Sequence, residues 1–348
     1  MKVDQIRTVA IIGGGLMGHG IAQLASVAGF NVLVRDISQD LVEKAKQNIA
    51  KNIRRSVERS RMTEEAARSA LSRVRATIDL GEAVRGAELI IEAIPENLEL
   101  KKKVWSDISS QAKEDSVLTT NTSSISITAM AEAVLKPERF AGMHFFNPPV
   151  VMRLVEVIPG AKTSAETLNT VKYLAEKMGK TPVIVLRDSP GFIVNRILIT
   201  YLNEAAKLTE SGKWTKEQMD SSMQYKAKMP LGPFMLADLI GLDIVYNILK
   251  VFEESLGPSY RPASSIEGLF KANKLGRKTG EGFYSYKEQP TVSEEAGKGF
   301  DLNLLIKPMI AEAEKVVLEG VANKESVDTA MKLGANLPQG PFEMAKNV

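Results

Sequence analysis

The most restrictive feature of this sequence is a join between two periodicities. A short β-branched run, Thr8-Val9-Ala10-Ile11-Ile12, meets glycines at Gly13, Gly15 and Gly18, and Leu16 to Ala28 then carries a helical pattern that stops at Gly29. A run of that kind makes a strand buried on both faces, as in parallel sheets. In the G-x-G-x-x-G spacing the first glycine permits a tight turn and the second lets backbone approach a pyrophosphate. The third allows close packing of helix on strand, with the phosphate at the helix N-terminus. A second strand, Asn31 to Arg35, ends at Asp36. Its position, about twenty residues past the glycines, is where a carboxylate accepts hydrogen bonds from the adenosine ribose and repels a 2′-phosphate. The order predicts a site for NAD rather than NADP, held by Gly13, Gly15, Gly18 and Asp36.

Apolar runs continue at Glu88–Ile94, Ser116–Thr120, Phe140–Phe145 and Pro182–Leu186, the earlier ones separated by helical segments. Ligands of such sheets sit beyond the carboxyl ends of the strands, which directs attention to Glu96, Asn97, Asn121, Ser123, His144 and Asn147. Between Asp36 and the run at Glu88 lies a long insertion, read as a helical hairpin over about 38–75. Glu43 to Arg75 holds ten Lys/Arg against four Glu. That surplus is either a solvated helix face or a patch for a phosphate-bearing ligand.

Composition removes whole classes of chemistry. The chain has no cysteine and two histidines, His19 and His144, so disulfides, thiol catalysis and finger-type zinc sites are excluded, and no metal is expected. A net charge of +3 is too small a bias for nucleic acid. The uncharged stretch from Thr8 to Val34 contains six glycines and no compact leucine-rich run, which argues against a signal peptide or membrane span. The chain reads as cytoplasmic, with no membrane partner.

His144 ends its strand and is followed by Phe145-Phe146-Asn147-Pro148-Pro149, a turn that cannot continue a ladder. A second apolar run, Met152 to Ile158, carries one carboxylate, Glu156. If the two runs fold back symmetrically about Val150, His144 falls opposite Glu156. A carboxylate beside imidazole fixes its tautomer and stabilises the imidazolium, which makes a general base for a hydroxyl proton. A core histidine with a chance charge beside it is the plainer reading, and proximity to a nicotinamide site favours catalysis. His19, in the first turn of the nucleotide helix, reads as packing or solvent-facing.

Several of these stretches resemble the L-3-hydroxyacyl-CoA dehydrogenase family. They are Gly13 to Gly18, Asn121-Thr122-Ser123-Ser124, Arg139 to Pro149, Leu154 to Val157, Asp188 to Arg196, and Gly276 to Gly280 continuing into Gly282-Phe283-Tyr284. The match runs in order over residues 5 to 287. The resemblance implies reversible NAD-dependent oxidation of an L-3-hydroxyacyl-CoA to the 3-ketoacyl-CoA, with (S)-3-hydroxybutyryl-CoA and acetoacetyl-CoA as the expected pair. It makes His144 the catalytic base and Glu156 its orienting partner. Ser123 becomes the hydroxyl on the substrate oxygen, and Asn195 a supporting amide. For NAD it adds Ala93, Glu96, Lys101, Ser123 and Asn147 to the glycines and Asp36. Asn52 and Arg59 are the nearest matches to the family's CoA contacts, in place of its usual Ser and Lys.

Past a polar stretch at Lys287 to Pro290, part of the chain recurs. Gly191-Phe192-x-x-Asn195 returns as Gly299-Phe300-x-x-Asn303, and Pro230-x-Gly232-Pro233-Phe234 as Pro338-x-Gly340-Pro341-Phe342, at a constant offset of 108. About a third of positions 191–238 are identical across it. The expected architecture is an α/β Rossmann-type N-terminal domain, a mostly α-helical C-terminal domain and a partial second helical repeat. The expected bounds are 1–188, 189–287 and 288–348, the last including the linker. Asn303 reads as structural.

The half copy either caps the first copy or marks the dehydrogenase part of a bifunctional protein. Related fused enzymes favour the second, with an enoyl-CoA hydratase fused or associated and the chain a homodimer or monomer. Two rival functions stay open. One is a dehydrogenase of the 3-hydroxyisobutyrate or 6-phosphogluconate type, which shares the Gly-Leu-Met-Gly turn but uses a lysine. The other is a catalytically silent NAD- or acyl-CoA-binding protein.

Overall fold

In the computed structural model, residues 5–347 are described, and the chain divides into two compact units, Met1–Asp188 and Ser189–Val348. The first unit is built on one sheet in the order β3-β2-β1-β4-β5-β6-β7-β8. Strands β1 (Thr8–Ile12), β2 (Asn31–Arg35), β3 (Val74–Thr77), β4 (Leu89–Glu92), β5 (Val117–Thr120) and β6 (Phe140–Phe145) run parallel to their neighbours. β7 (Leu154–Pro159) turns back antiparallel to β6, and β8 (Thr181–Ile184) is parallel to β7. Strands β4, β5 and β6 are buried throughout, as expected where helices cover both faces.

Helices α1 (Leu16–Val27), α2 (Gln39–Glu58), α3 (Glu64–Ser72), α4 (Leu80–Val84), α5 (Leu98–Gln111), α6 (Ile127–Ala131) and α7 (Ala165–Lys177) complete the unit. α2 buries Val42, Ala45, Ile49 and Ile53, spaced three and four apart, and leaves Lys44, Lys51, Arg54, Arg55 and Arg59 exposed. Ser38 and Thr63 cap α2 and α3 through their hydroxyls, which fixes where each helix of the basic hairpin starts.

One strand was not anticipated. β3 lies within what reads as insertion, followed by α4, and forms the sheet edge beside β2. Its residues Val74-Arg75-Ala76-Thr77 are exposed or half-buried, so it carries neither an apolar run nor alternation.

The second unit is helical: α8 (Val194–Glu210), α9 (Lys216–Tyr225), α10 (Pro233–Ile240), α11 (Leu242–Leu256) and α12 (Ser264–Lys271), followed by α13 (Asn303–Leu318), α14 (Lys324–Gly334) and α15 (Pro341–Met344). At the sequence offset of 108, α8, α9 and α10 correspond to α13, α14 and α15. Left-handed backbone recurs with them, at Gly191 and Gly299, Gly212 and Gly320, and Lys228 and Asn336. The second copy packs on the first, α13 against α8. The buried Arg196 of α8 bonds Glu312 and Glu319 of the second copy and the Tyr260 hydroxyl. Among the described residues no helix is long and apolar enough to cross a membrane.

Candidate active site

The glycine turn is built for a ligand that carries phosphate. Gly13 holds φ +103°, and a Cβ there would lie 2.6 Å from the Ala93 carbonyl oxygen. A Cβ on Gly18 would lie 1.7 Å from the Gly13 carbonyl, so α1 sits against the turn at a distance only glycine allows. At Gly15, by contrast, nothing lies within 4 Å of such a Cβ. Gly15 is the N-cap of α1, with no side-chain cap and no acid in the first turn. The helix therefore presents N–H groups and the positive end of its dipole to open space. These features fit a dinucleotide pyrophosphate.

Asp36, just past β2, folds its carboxylate back over the turn. Its Oδ2 accepts from the Gly14 N–H at 2.7 Å and its Oδ1 from the Ile37 N–H at 2.7 Å. Each oxygen keeps a second lone pair for a ribose hydroxyl. His19 bonds back to the Gly15 carbonyl at 2.7 Å and is half-buried in the first turn of α1.

β6 and β7 pair with His144 opposite Glu156, and the imidazole Nδ1 lies 2.8 Å from Glu156 Oε2. His144 is 5% exposed and Glu156 fully buried. Because a carboxylate only accepts, Nδ1 carries the proton in this pair, and in the neutral imidazole the lone pair then falls on Nε2. Asn121, after β5, accepts the Phe145 N–H at 2.8 Å, which ties the loop that carries Ser123 to the strand beside His144.

Glu96 organises that loop. Its Oε1 accepts from the Thr122 hydroxyl at 2.6 Å, the Ser123 N–H at 2.9 Å, the Ser124 N–H at 3.1 Å, and the Ser123 and Ser124 hydroxyls at 3.3 and 3.2 Å. Burial pushes the Glu96 carboxyl up, but the charge of Lys101 and these donors outweigh it and hold the group below the usual range. Lys101 is 1% exposed and pairs with both Glu96 and Glu92.

Asn147 opens the exposed turn after β6, and its peptide to Pro148 is cis. The turn rests on Lys180, whose buried ammonium donates to the carbonyls of Pro149 at 2.5 Å and Met152 at 2.8 Å. Burial without a counter-charge pushes that amine down to about 8. Pro149 in turn lies against Gly20 of α1, where a Cβ would meet its ring at 2.5 Å. Asn195 lies in the second unit, half-buried in the first turn of α8. Asn52 lies midway along α2, half-buried, and Arg59 is its exposed C-cap.

Sequence reasoning missed Glu92, Thr122, Ser124 and Lys180. For Glu92 a signal existed. A charge closing the apolar run Leu89-Ile90-Ile91 must find a buried partner, and the first lysine beyond it is Lys101.

Comparison with known proteins finds one family over both units. The model of the NAD-binding domain of 3-hydroxyacyl-CoA dehydrogenases matches residues 8–189. The C-terminal domain of the same family matches twice, over residues 191–286 and 299–348. The human mitochondrial hydroxyacyl-coenzyme A dehydrogenase is 40% identical over 289 residues, 81% of this chain and 92% of that protein. The crystal structure of 3-hydroxybutyryl-CoA dehydrogenase from Escherichia coli is 28% identical with a TM-score of 0.92, covering 99% of this chain and 92% of that one. The fatty acid oxidation complex subunit alpha of Pseudomonas putida is 35% identical over 344 residues, 98% of this chain and 47% of that protein.

Proposed function

The chain belongs to the 3-hydroxyacyl-CoA dehydrogenase family of NAD-dependent oxidoreductases, and from that premise we propose that it interconverts (S)-3-hydroxybutyryl-CoA and acetoacetyl-CoA. The observation that carries this reading is the buried pair of His144 and Glu156, 2.8 Å apart and tied through Asn121 to the Ser123 loop. Bound NAD supplies the acceptor for the hydride from C3 of the substrate. His144 Nε2 takes the proton of the 3-hydroxyl as that oxygen becomes a carbonyl. Glu156 holds the ring in this tautomer and steadies the imidazolium that forms. Ser123 donates to the same oxygen, and Asn195 supplies the amide that the family resemblance implies. Gly13, Gly15, Gly18, Asp36, Ala93, Glu96, Lys101 and Asn147 line or support the cofactor position.

The exposed cations of α2, with Arg59 and Asn52, are the proposed contacts for the phosphates of CoA. An enoyl-CoA hydratase, fused or associated, is the partner that would make L-3-hydroxyacyl-CoA. The likeness to a fatty acid oxidation complex subunit supports that pairing.

The test follows NADH absorbance with acetoacetyl-CoA and, separately, NAD reduction with 3-hydroxyisobutyrate. Turnover of the second and not the first overturns the assignment. In the His144→Gln variant kcat is expected to fall by at least about a hundredfold, the scale of a lost general base. NADH binding should stay nearly intact, and near-normal turnover would remove His144 from the mechanism.

A further inference from the structure

Beneath the Ser123 loop lies a buried charged pair, of which Lys101 has been placed beside the cofactor and Glu92 has been given no role. Glu92, the last residue of β4, is fully buried, and Lys101, in the first turn of α5, is 1% exposed. Their charged ends meet at 2.6 Å. Every acceptor position of Glu92 is filled. Oε1 takes Lys101 and the Ile94 N–H at 2.8 Å, and Oε2 takes the Trp105 Nε1–H at 3.3 Å and the Thr120 hydroxyl at 2.8 Å. An ammonium so held can turn only one way. Its remaining contacts are the Ile94 carbonyl at 3.3 Å and Glu96 Oε2 at 3.4 Å.

The two oxygens of Glu96 thus have separate tasks: Oε2 faces Lys101, and Oε1 gathers the donors of Thr122, Ser123 and Ser124. Only a carboxylate can do both. A proton on Oε1 would set a donor against the loop's donors, and one on Oε2 would face the ammonium and leave Oε1 a neutral, weaker acceptor for the loop.

We propose that the Glu92–Lys101 pair is a positioning device for the reaction: it keeps Glu96 a carboxylate, and that carboxylate holds the Thr122, Ser123 and Ser124 loop in the place from which the Ser123 hydroxyl can turn to the substrate oxygen. The proposal rests on the role given to Ser123 above. The groups that bear on Glu96 are Lys101 from α5, Glu92 behind it from β4, and the uncharged donors of the β5–α6 loop. Of these, only Lys101 favours ionisation by its charge, and burial opposes ionisation.

The test is the pH dependence of kcat/KM for acetoacetyl-CoA reduction in wild type and Lys101→Met. Without the ammonium Glu96 loses the one charge that favours its ionisation, and it should take up a proton at higher pH than in wild type. The variant should then lose activity toward acid more steeply than wild type, by one additional proton. Whatever activity the variant keeps at pH 9, its ratio to wild type should fall by at least about tenfold between pH 9 and pH 6, one pH unit of titration being tenfold. In Lys101→Met/Glu96→Gln the additional proton should disappear. Should Lys101→Met fail to fold because Glu92 is left unpaired, Glu92→Gln/Lys101→Met removes both charges and should show the same steepened limb. A folded variant whose pH profile parallels the wild type overturns the proposal. No turnover of acetoacetyl-CoA by the wild type would instead sink the reading on which it rests.

Discussion

The two helical copies share a backbone and differ in what surrounds it. Gly212 and Gly320 both hold φ +71°, and Lys228 and Asn336 hold +58° and +54°. Asp220 accepts the Phe234 N–H at 2.9 Å, and Asp328 accepts the Phe342 N–H at 2.8 Å, so each Gly-Pro-Phe turn is capped by an aspartate fourteen residues earlier. Gly232 and Gly340 both lie hard against that aspartate, where a Cβ would come within 2.4 Å of its side chain. Local chemistry is therefore duplicated.

Surroundings are not. Asp220 is fully buried, and burial pushes its carboxyl up to about 7, whereas the half-buried Asp328 is raised less. Arg196 of the first copy is matched by Leu304 in the second. The comparison teaches that the turns and caps of this unit belong to its local sequence, while its charges and close contacts belong to which copy faces the interior.

Exchange at the Arg196 position should break that comparison most severely. Arg196→Leu, which installs the residue of the second copy, leaves the buried Glu312 with only Lys315 and the Tyr260 hydroxyl. Breaking a buried pair on one side costs on the order of 4 kcal/mol. The reverse exchange, Leu304→Arg, adds a cation at a half-buried position and should cost less than about 1 kcal/mol. Chemical denaturation of the intact chain measures both, and equal losses would show that the asymmetry has no energetic weight.

A smaller contrast comes from Gly191 and Gly299, at φ +75° and +80°. Alanine at either carries the left-handed strain of about 1–2 kcal/mol. At Gly191 the new Cβ also meets the Phe252 ring at 2.4 Å and the Arg196 amide at 2.9 Å, whereas at Gly299 nothing lies within 4 Å. Overpacking should bring the Gly191→Ala loss to about 3 kcal/mol and leave Gly299→Ala near 1. A Gly299 variant as damaged as the Gly191 one would mean that the second copy is enclosed like the first.

The same division between local and distant explains what could be read in the chain beforehand. The β1 turn, Asp36 and the His144–Glu156 hairpin were legible because each is written within a few dozen residues. In the hairpin, the turn at Pro148 and Pro149 sets the register directly. The β3 strand was not legible, since a half-exposed edge strand containing Arg75 carries no periodic signal. Nor was the wiring of Glu92, whose partners Lys101, Trp105 and Thr120 stand nine, thirteen and twenty-eight residues away on two other elements. Arg196 and Glu312 are separated by 116 residues, and no pattern in either copy alone pairs them.

The finest test of the shared backbone is the pair with the smallest expected effect. Gly212 and Gly320 close α8 and α13, hold the same φ of +71°, and have nothing within 4 Å of an added Cβ. Neither packing nor charge can then distinguish them, and only the intrinsic cost of a left-handed alanine remains, about 1 kcal/mol. Gly212→Ala and Gly320→Ala should shift the denaturation midpoint equally, and the double variant should lose the sum of the two, because distant and independent sites add. Unequal losses would mean that one of the two helix ends is constrained from outside its own copy, and the division drawn between local backbone and surroundings would fail at its simplest point.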